Sequence, residues 1–234
     1  MKAIKIEPEP LLICWSGGKD SSLALHAVSK DPSVRVEALI TTVTKDYERI
    51  SMHGVRRALL HDQADAIGLP MEEVRIPAGA SNTVYESAMK ECLLRYKARN
   101  VSRVIFGDLF LQDIRQYRES RLAELGMNGF FPLWQKDTRQ LANDFIASGF
   151  RAFLVCVDPK QIDASFCGRE FDHALLSDLP PTADPCGENG EFHTFVYDGP
   201  IFRRALKITK GEVVHREGFW FCDLMRRPDG VQYA

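Results

Sequence analysis

Six consecutive residues, Ser16-Gly17-Gly18-Lys19-Asp20-Ser21, bring two glycines, a cation, a carboxylate and two hydroxyls into one turn. They follow the apolar run Leu11-Leu12-Ile13-Cys14-Trp15 and precede Leu23, Leu25, Ala27 and Val28 at helix-compatible spacing. A turn in that place joins a strand to the amino end of a helix, where unpaired N–H groups and the positive end of the helix dipole attract an anion. Gly17 and Gly18 carry no Cβ, so their amides can approach a phosphate closely and adopt positive φ. Lys19 adds a mobile positive charge. Ser16 and Ser21 add hydroxyl donors, and Asp20 can either lock the turn through backbone N–H groups or help hold Mg²⁺.

Two further clusters could take part. Gly107-Asp108 ends the run Arg103-Val104-Ile105-Phe106-Gly107, so Asp108 is expected on the same sheet edge as the turn, facing ligand or Mg²⁺. Arg115, Arg118, Glu119 and Arg121 follow as a charged helix face with no individual role assigned. The segment Cys186-Gly187-Glu188-Asn189-Gly190-Glu191-Phe192-His193-Thr194 crowds two carboxylates, an amide and an imidazole beside two glycines. Glu188 and Glu191 are read as a carboxylate pair for Mg²⁺ or an amine nucleophile, and His193 as an acid or base near neutral pH. A plain β-turn with charged flanks explains the same composition.

The elements that must position these groups alternate. Strands are predicted at 11–15, 34–43, 73–76, 103–107, 130–134 and 152–157, with helices at about 53–67, 84–99, 112–125 and 138–147 between them. This spacing favours parallel βαβ units, giving an α/β fold with a HUP-like (Rossmann-like) parallel sheet and helices on both faces. After Asp158 the pattern changes to the proline-containing loop 179–185. Short strands follow near 194–197, 205–209, 213–214 and 219–222. The chain is divided into a nucleotide-binding domain, 1–134, and a substrate-binding region, 135–234.

Composition narrows the class. The 234 residues are 45% hydrophobic and 26% charged, with 30 Lys and Arg against 32 Asp and Glu and a net charge of −2. That balance argues against a protein that coats nucleic acid by bulk positive charge. No apolar run reaches the roughly 18 residues of a membrane span, and residues 1–10 have no signal-type apolar region. Six cysteines without a CxxC pair or metal-ligand spacing fit reduced thiols in a cytoplasmic protein. The apolar stretch Phe219-Trp220-Phe221 is a candidate homodimer contact.

Familiar phosphate motifs do not fit the turn. GxxxxGK[ST] needs a hydroxyl after the lysine, where Asp20 stands, and GxGxxG is absent. SGGKDS instead resembles the pyrophosphate loop of the adenine-nucleotide α-hydrolase superfamily. That resemblance implies that Ser16 to Ser21 hold the β,γ-phosphates of ATP, with the α–β bond cleaved and Lys19 stabilising the departing pyrophosphate. Thr41 and Thr42 would meet the adenine, and Gly107 would border the nucleotide.

SGGKDS, Gly107-Asp108, Pro132-Leu133-Trp134 and Gly187-Glu188-Asn189-Gly190-Glu191-Phe192 together resemble the diphthine–ammonia ligase family, from Leu11 to about Phe202. His53-Gly54 and Tyr85-Glu86 are similar as well. The resemblance implies an ATP-dependent, AMP-forming ligase that adenylates a carboxylate on a small molecule or protein and forms an amide with free ammonium. In the eukaryotic and archaeal branch the substrate is a modified histidine on translation elongation factor two. Lys19, Glu188 and Glu191 would then be catalytic, and Asp108, Gly187, Asn189, Gly190 and His193 would bind substrate. Pro132-Leu133-Trp134 would be a strand beside them. Asn189 and His193 depart from the branch's usual glycine and acidic residue, and the form CGENGEFHTF is closer to a prokaryotic subgroup. Two alternatives stay open: an RNA-modifying enzyme of the same loop class, with Cys186 as its thiol, and an ATP-binding sensor without turnover.

Overall fold

The computed structural model describes residues 7–44, 49–50 and 54–227. In chain order the elements are β1 (Glu9–Cys14), α1 (Lys19–Val28), β2 (Val34–Thr44), β3 (Arg49–Ile50), α2 (Arg57–Ile67), β4 (Met71–Ile76), α3 (Asn82–Lys97), β5 (Arg103–Ile105), α4 (Gln112–Ala123) and β6 (Asn128–Phe130). There follow α5 (Thr138–Ala147), β7 (Arg151–Val157), a 3₁₀ turn (Ala164–Phe166), α6 (His173–Asp178), β8 (Phe192–Asp198), β9 (Ile208–Arg216) and β10 (Phe219–Arg226).

Five strands form a parallel sheet in the order β4-β2-β1-β5-β6, and β3 pairs antiparallel with the end of β2. The period-two rule explains why the run from Leu11 to Trp15 is apolar at every position. Leu11, Ile13 and Trp15 enter one core with α1 and α2, whereas Leu12 enters another with α3 and α4. Ile105 and its neighbours Val104 and Phe106 divide in the same way on either side of β5. Helices therefore cover both faces, as the sequence predicts. The chain leaves β1 toward β2 on one side and reaches β5 on the other. The carboxyl ends of β1 and β5 thus flank the topological switch point, where open α/β sheets take ligands.

A second sheet, β8-β7-β10-β9, is antiparallel throughout. It shares its core with α1 and α2: Phe145, Phe171, Phe192 and Phe195 are buried with Leu25, Leu59 and Leu60. Here the sequence reading needs correction. β7 was expected to extend the parallel sheet, yet it pairs antiparallel with β8 and β10. The strand expected at 130–134 ends at Phe130, and Pro132 to Gln135 form a turn in which the Gln135 N–H donates to the Leu109 carbonyl at 2.7 Å. The separate strands predicted at 205–209 and 213–214 are one strand, β9, whose polar outer residues break the apolar pattern. Helix α2 starts at Arg57, and His53 lies outside the described residues. Phe219 is exposed on β10, while Trp220 and Phe221 are half-buried.

Candidate functional site

The loop after β1 is held from three directions. Trp15, the last buried residue of the β1 run, donates its indole N–H to Gln63 Oε1 at 2.9 Å. Gln63 Nε2 then donates to the carbonyls of Gly17 at 3.0 Å and Val196 at 2.6 Å. The Val196 N–H donates to the Gly17 carbonyl at 2.9 Å, and the Lys19 N–H donates to Thr194 Oγ1 at 3.0 Å. The edge of the second sheet therefore clamps the loop of the first. Gln63 escaped the sequence reading, and Phe192 and Thr194 were quoted there without a role. Gln63 had a visible signal: it is a polar residue inside the apolar stripe Leu59, Leu60, Ala64, Ile67 of α2, and it is fully buried.

The glycines are required by the packing. Gly17 has φ +78°, and a Cβ there would lie 2.7 Å from Gln63 Oε1 and 2.8 Å from Leu60 Cδ2. At Gly107 a Cβ would lie 2.8 Å from the Asp20 carbonyl carbon and 2.9 Å from the Ser21 nitrogen, so the end of β5 rests directly on the first turn of α1. Gly107→Ala is expected to cost about 1–3 kcal/mol of stability by overpacking, read from urea unfolding.

Lys19 opens α1 with only 2% of its surface exposed, and its Nζ lies 2.8 Å from both oxygens of Asp20. Burial opposes its charge, but the carboxylate beside it, with Glu188 contributing, outweighs that cost and holds the lysine above its ordinary pKa. Ser21 and Ser22 both donate to the Gly18 carbonyl, and Ser16 Oγ accepts from the Gly18 N–H. The result is a braced turn at a helix amino end that carries an ion pair. It borders a cleft of about 450 Å³ also lined by Thr41, Thr42, Gly107, Asp108, Glu188 and His193. Thr41 Oγ1 is buried against this cleft without a hydrogen-bond partner.

The acidic loop divides its two glutamates. Glu188 lines the cleft, accepts from the Leu109 N–H at 2.8 Å, and is raised to about 7 by burial, with Asp20 adding to the shift. Glu191 is 2% exposed and turns inward, where it accepts from the N–H groups of Asp184 at 2.7 Å and Asn189 at 3.0 Å and from Asn189 Nδ2 at 3.2 Å. The carboxylate pair expected from the sequence therefore does not form: Glu191 and Asn189 brace the loop, and neither lines the cleft. Gly187 and Gly190 do, at φ +69° and +88°.

Three other expectations change. Asp108 is tied to Arg118, with Oδ2 2.9 Å from Nε and Oδ1 accepting from Nη2 at 3.2 Å. Asp20 and Asp108, read as Mg²⁺ ligands, are thus each held by a protein cation. Among the described residues no three His, Cys, Asp or Glu side chains gather as a metal cage. His193 is lowered to about 4 by burial and by Lys19, so it is a neutral imidazole at pH 7. Cys186 is buried, donates to the Thr138 carbonyl at 3.2 Å, and is pushed up to about 12 by burial, so it is a thiol and not a thiolate nucleophile.

Fold and site together define a doubly wound α/β protein whose switch-point loop is clamped by a second, antiparallel sheet. The chain belongs to the diphthamide synthase family: the family's N-terminal domain matches residues 11–129 and its C-terminal domain matches residues 137–228. A protein of Schizosaccharomyces pombe named diphthine–ammonia ligase is 29% identical over 229 residues, covering 89% of this chain and 38% of its own length. The protein of the same name from Danio rerio is 26% identical over 221 residues, covering 85% of this chain and 86% of its own. The chain thus spans well under half of the yeast relative. A solved structure described as a tRNA methyltransferase subunit from Methanocaldococcus jannaschii aligns with a TM-score of 0.40 at 17% identity, over 62% of this chain and 80% of that one. Among the described residues no helix is long and apolar enough to cross a membrane.

Proposed function

We propose that the chain is an ATP-dependent, AMP-forming ligase that joins ammonia to a carboxylate, as the name diphthine–ammonia ligase describes for its relatives. The observation that carries this reading is the buried Lys19 at the amino end of α1, facing the same cleft as the half-buried Glu188. Thr41 and Thr42 border the end of β2 where a nucleoside fits, and the Gly17-Gly18 turn with Lys19 suits its β,γ-phosphates. A substrate carboxylate oxygen attacks the α-phosphorus, the α–β bridge bond breaks, and the charge that develops on pyrophosphate is met by Lys19 and the α1 dipole. Ammonium gives one proton to Glu188, and the resulting ammonia attacks the acyl carbon. The carbon–oxygen bond to AMP then breaks, the nitrogen gives a second proton to water, and the amide remains. No step is assigned to Mg²⁺.

The buried thiol state of Cys186 speaks against the thiolation alternative, which needs a thiolate near the adenylate. Diphthine is the first acceptor to try, on the strength of the relatives' name, and a cytoplasmic setting fits six free cysteines.

A base at about 7 makes a pH prediction. Glu188 must be ionised to take the proton, so the rate is expected to rise as pH passes upward through about 7. Glu188→Gln should remove that limb and slow amide formation about 10²- to 10⁴-fold. The same group shifts stability. Its folded pKa lies above the unfolded value of about 4.3, so the native state binds the proton more tightly and stability falls between those two pH values. Above pH 7, Glu188→Gln should melt at a higher temperature than the parent and lose that advantage near pH 4. A flat pH–rate profile in the parent protein contradicts the assignment.

A further inference from the structure

A second cavity, of about 340 Å³, opens between α3 and α4 on the sheet face away from α1 and α2. Its floor is apolar, built by Leu93, Val104, Leu122 and Leu125. At the rim, Tyr117 donates to Glu86 at 3.0 Å and Arg121 pairs with Glu86 and Glu124. At its inner end the cavity shares Cys14, Tyr85, Met89, Phe106 and Arg118 with the cleft that holds Lys19. The two spaces therefore adjoin across a common wall.

Arg118 stands at that junction. Its guanidinium lies over the Phe106 ring at 4.6 Å and beside Asp108, which fixes its direction. Nε lies 2.9 Å from Asp108 Oδ2 and Nη2 donates to Oδ1 at 3.2 Å, so Asp108 takes that edge of the fork and leaves Nη1 as the donor available to a ligand. Of the three cations that line the α3–α4 cavity, Arg121 is paired with Glu86 and Glu124 and Arg118 with Asp108, while Lys90 adds a third positive charge. Apolar walls closed at the inner end by a guanidinium with one free edge complement an acid with an apolar tail.

We infer that the α3–α4 cavity receives a molecule whose apolar or aromatic arm ends in a carboxylate, and that Arg118 positions that carboxylate at the mouth of the nucleotide cleft. The carboxylate's later activation rests on the ligase reading; its binding does not. Arg118 is a positioning residue, and Asp108 is its partner, which gives that aspartate a place in the site without a metal.

Hydrocinnamate serves as the probe, with hydrocinnamyl alcohol as its uncharged match, titrated by ligand-observed NMR with and without a non-hydrolysable ATP analogue. The acid is expected to bind at least about tenfold more tightly than the alcohol, with no displacement by the analogue. Arg118→Lys should weaken the acid about tenfold, since a lysine cannot offer the fork. Leu93→Phe, which fills the cavity without touching the cleft, should block the acid and leave analogue binding unchanged. Displacement of the acid by the analogue, equal binding of acid and alcohol, unaltered binding in both variants, or no binding of the acid overturns the proposal. Failure of the ligase reading appears differently: the acid binds as stated, and no AMP forms with any acceptor.

Discussion

Replacing Lys19 with methionine is expected to cut AMP formation by about two to three orders of magnitude, the usual effect of removing one charge-stabilising group from a buried site. The lysine is 2% exposed and sits on the first turn of α1, so its ammonium acts in a medium where water screens it little. Its stem lies near the Phe192 ring, with Nζ 5.8 Å from the centroid, and methionine can occupy that space. The loss of charge leaves Asp20 without the cation 2.8 Å away, which costs stability by itself. Lys19→Met with Asp20→Asn separates the two effects: thermal stability should recover while turnover stays low. Steady-state AMP formation and melting temperature, measured on both variants, check this. Full turnover in Lys19→Met removes the pyrophosphate-loop assignment.

Glu191→Gln is expected to damage the protein more broadly. The buried carboxylate accepts three hydrogen bonds, two from backbone N–H groups of Asp184 and Asn189. A glutamine must aim its NH₂ at one of those donors, leaving buried polar groups unpaired, at about 2–3 kcal/mol. The same loop carries Glu188, whose N–H donates to Asp184 Oδ2 at 2.9 Å and whose carboxylate reaches Leu109. Once the brace is lost Glu188 loses its position, and activity should fall more than about a hundredfold. The contrast with Glu188→Gln is diagnostic. That variant should be slow but well folded, whereas Glu191→Gln should be slow and shifted to lower urea. A fully stable Glu191→Gln protein with an altered pH profile would instead make Glu191 the base.

The parallel half of the fold was legible where strands buried on both faces have no polar positions to blur them. Leu11 to Trp15 shows this, and Val34 to Val43 was legible instead from its β-branched residues. The same feature misled at Ala152 to Val157: an apolar run reports burial but not the direction of its neighbour, and β7 pairs antiparallel. Strand β9 failed for the opposite reason, since Lys210, Glu212 and His215 on a sheet edge interrupt the apolar signal.

At the site, the turn Ser16 to Ser21 was readable because its residue types and neighbouring elements are local. Long-range commitments were not. Glu188 and Glu191 look equivalent in CGENGEFHTF, and only the fold of residues 184–191 sends one into the cleft and the other into the loop. The pairing of Asp108 with Arg118 bridges ten positions and required α4 to lie over Phe106. Gln63, 46 positions from the Gly17 carbonyl it holds, carried a signal only as a polar residue on an apolar helix face.

The most direct test of the central claim is ³¹P NMR of the products formed from ATP and ammonium with a diphthine-bearing acceptor. A ligase of the kind proposed yields AMP and pyrophosphate in step with amide formation, and both disappear in Lys19→Met. ADP and inorganic phosphate as the products would contradict it, because the bond broken would then lie between the β- and γ-phosphates.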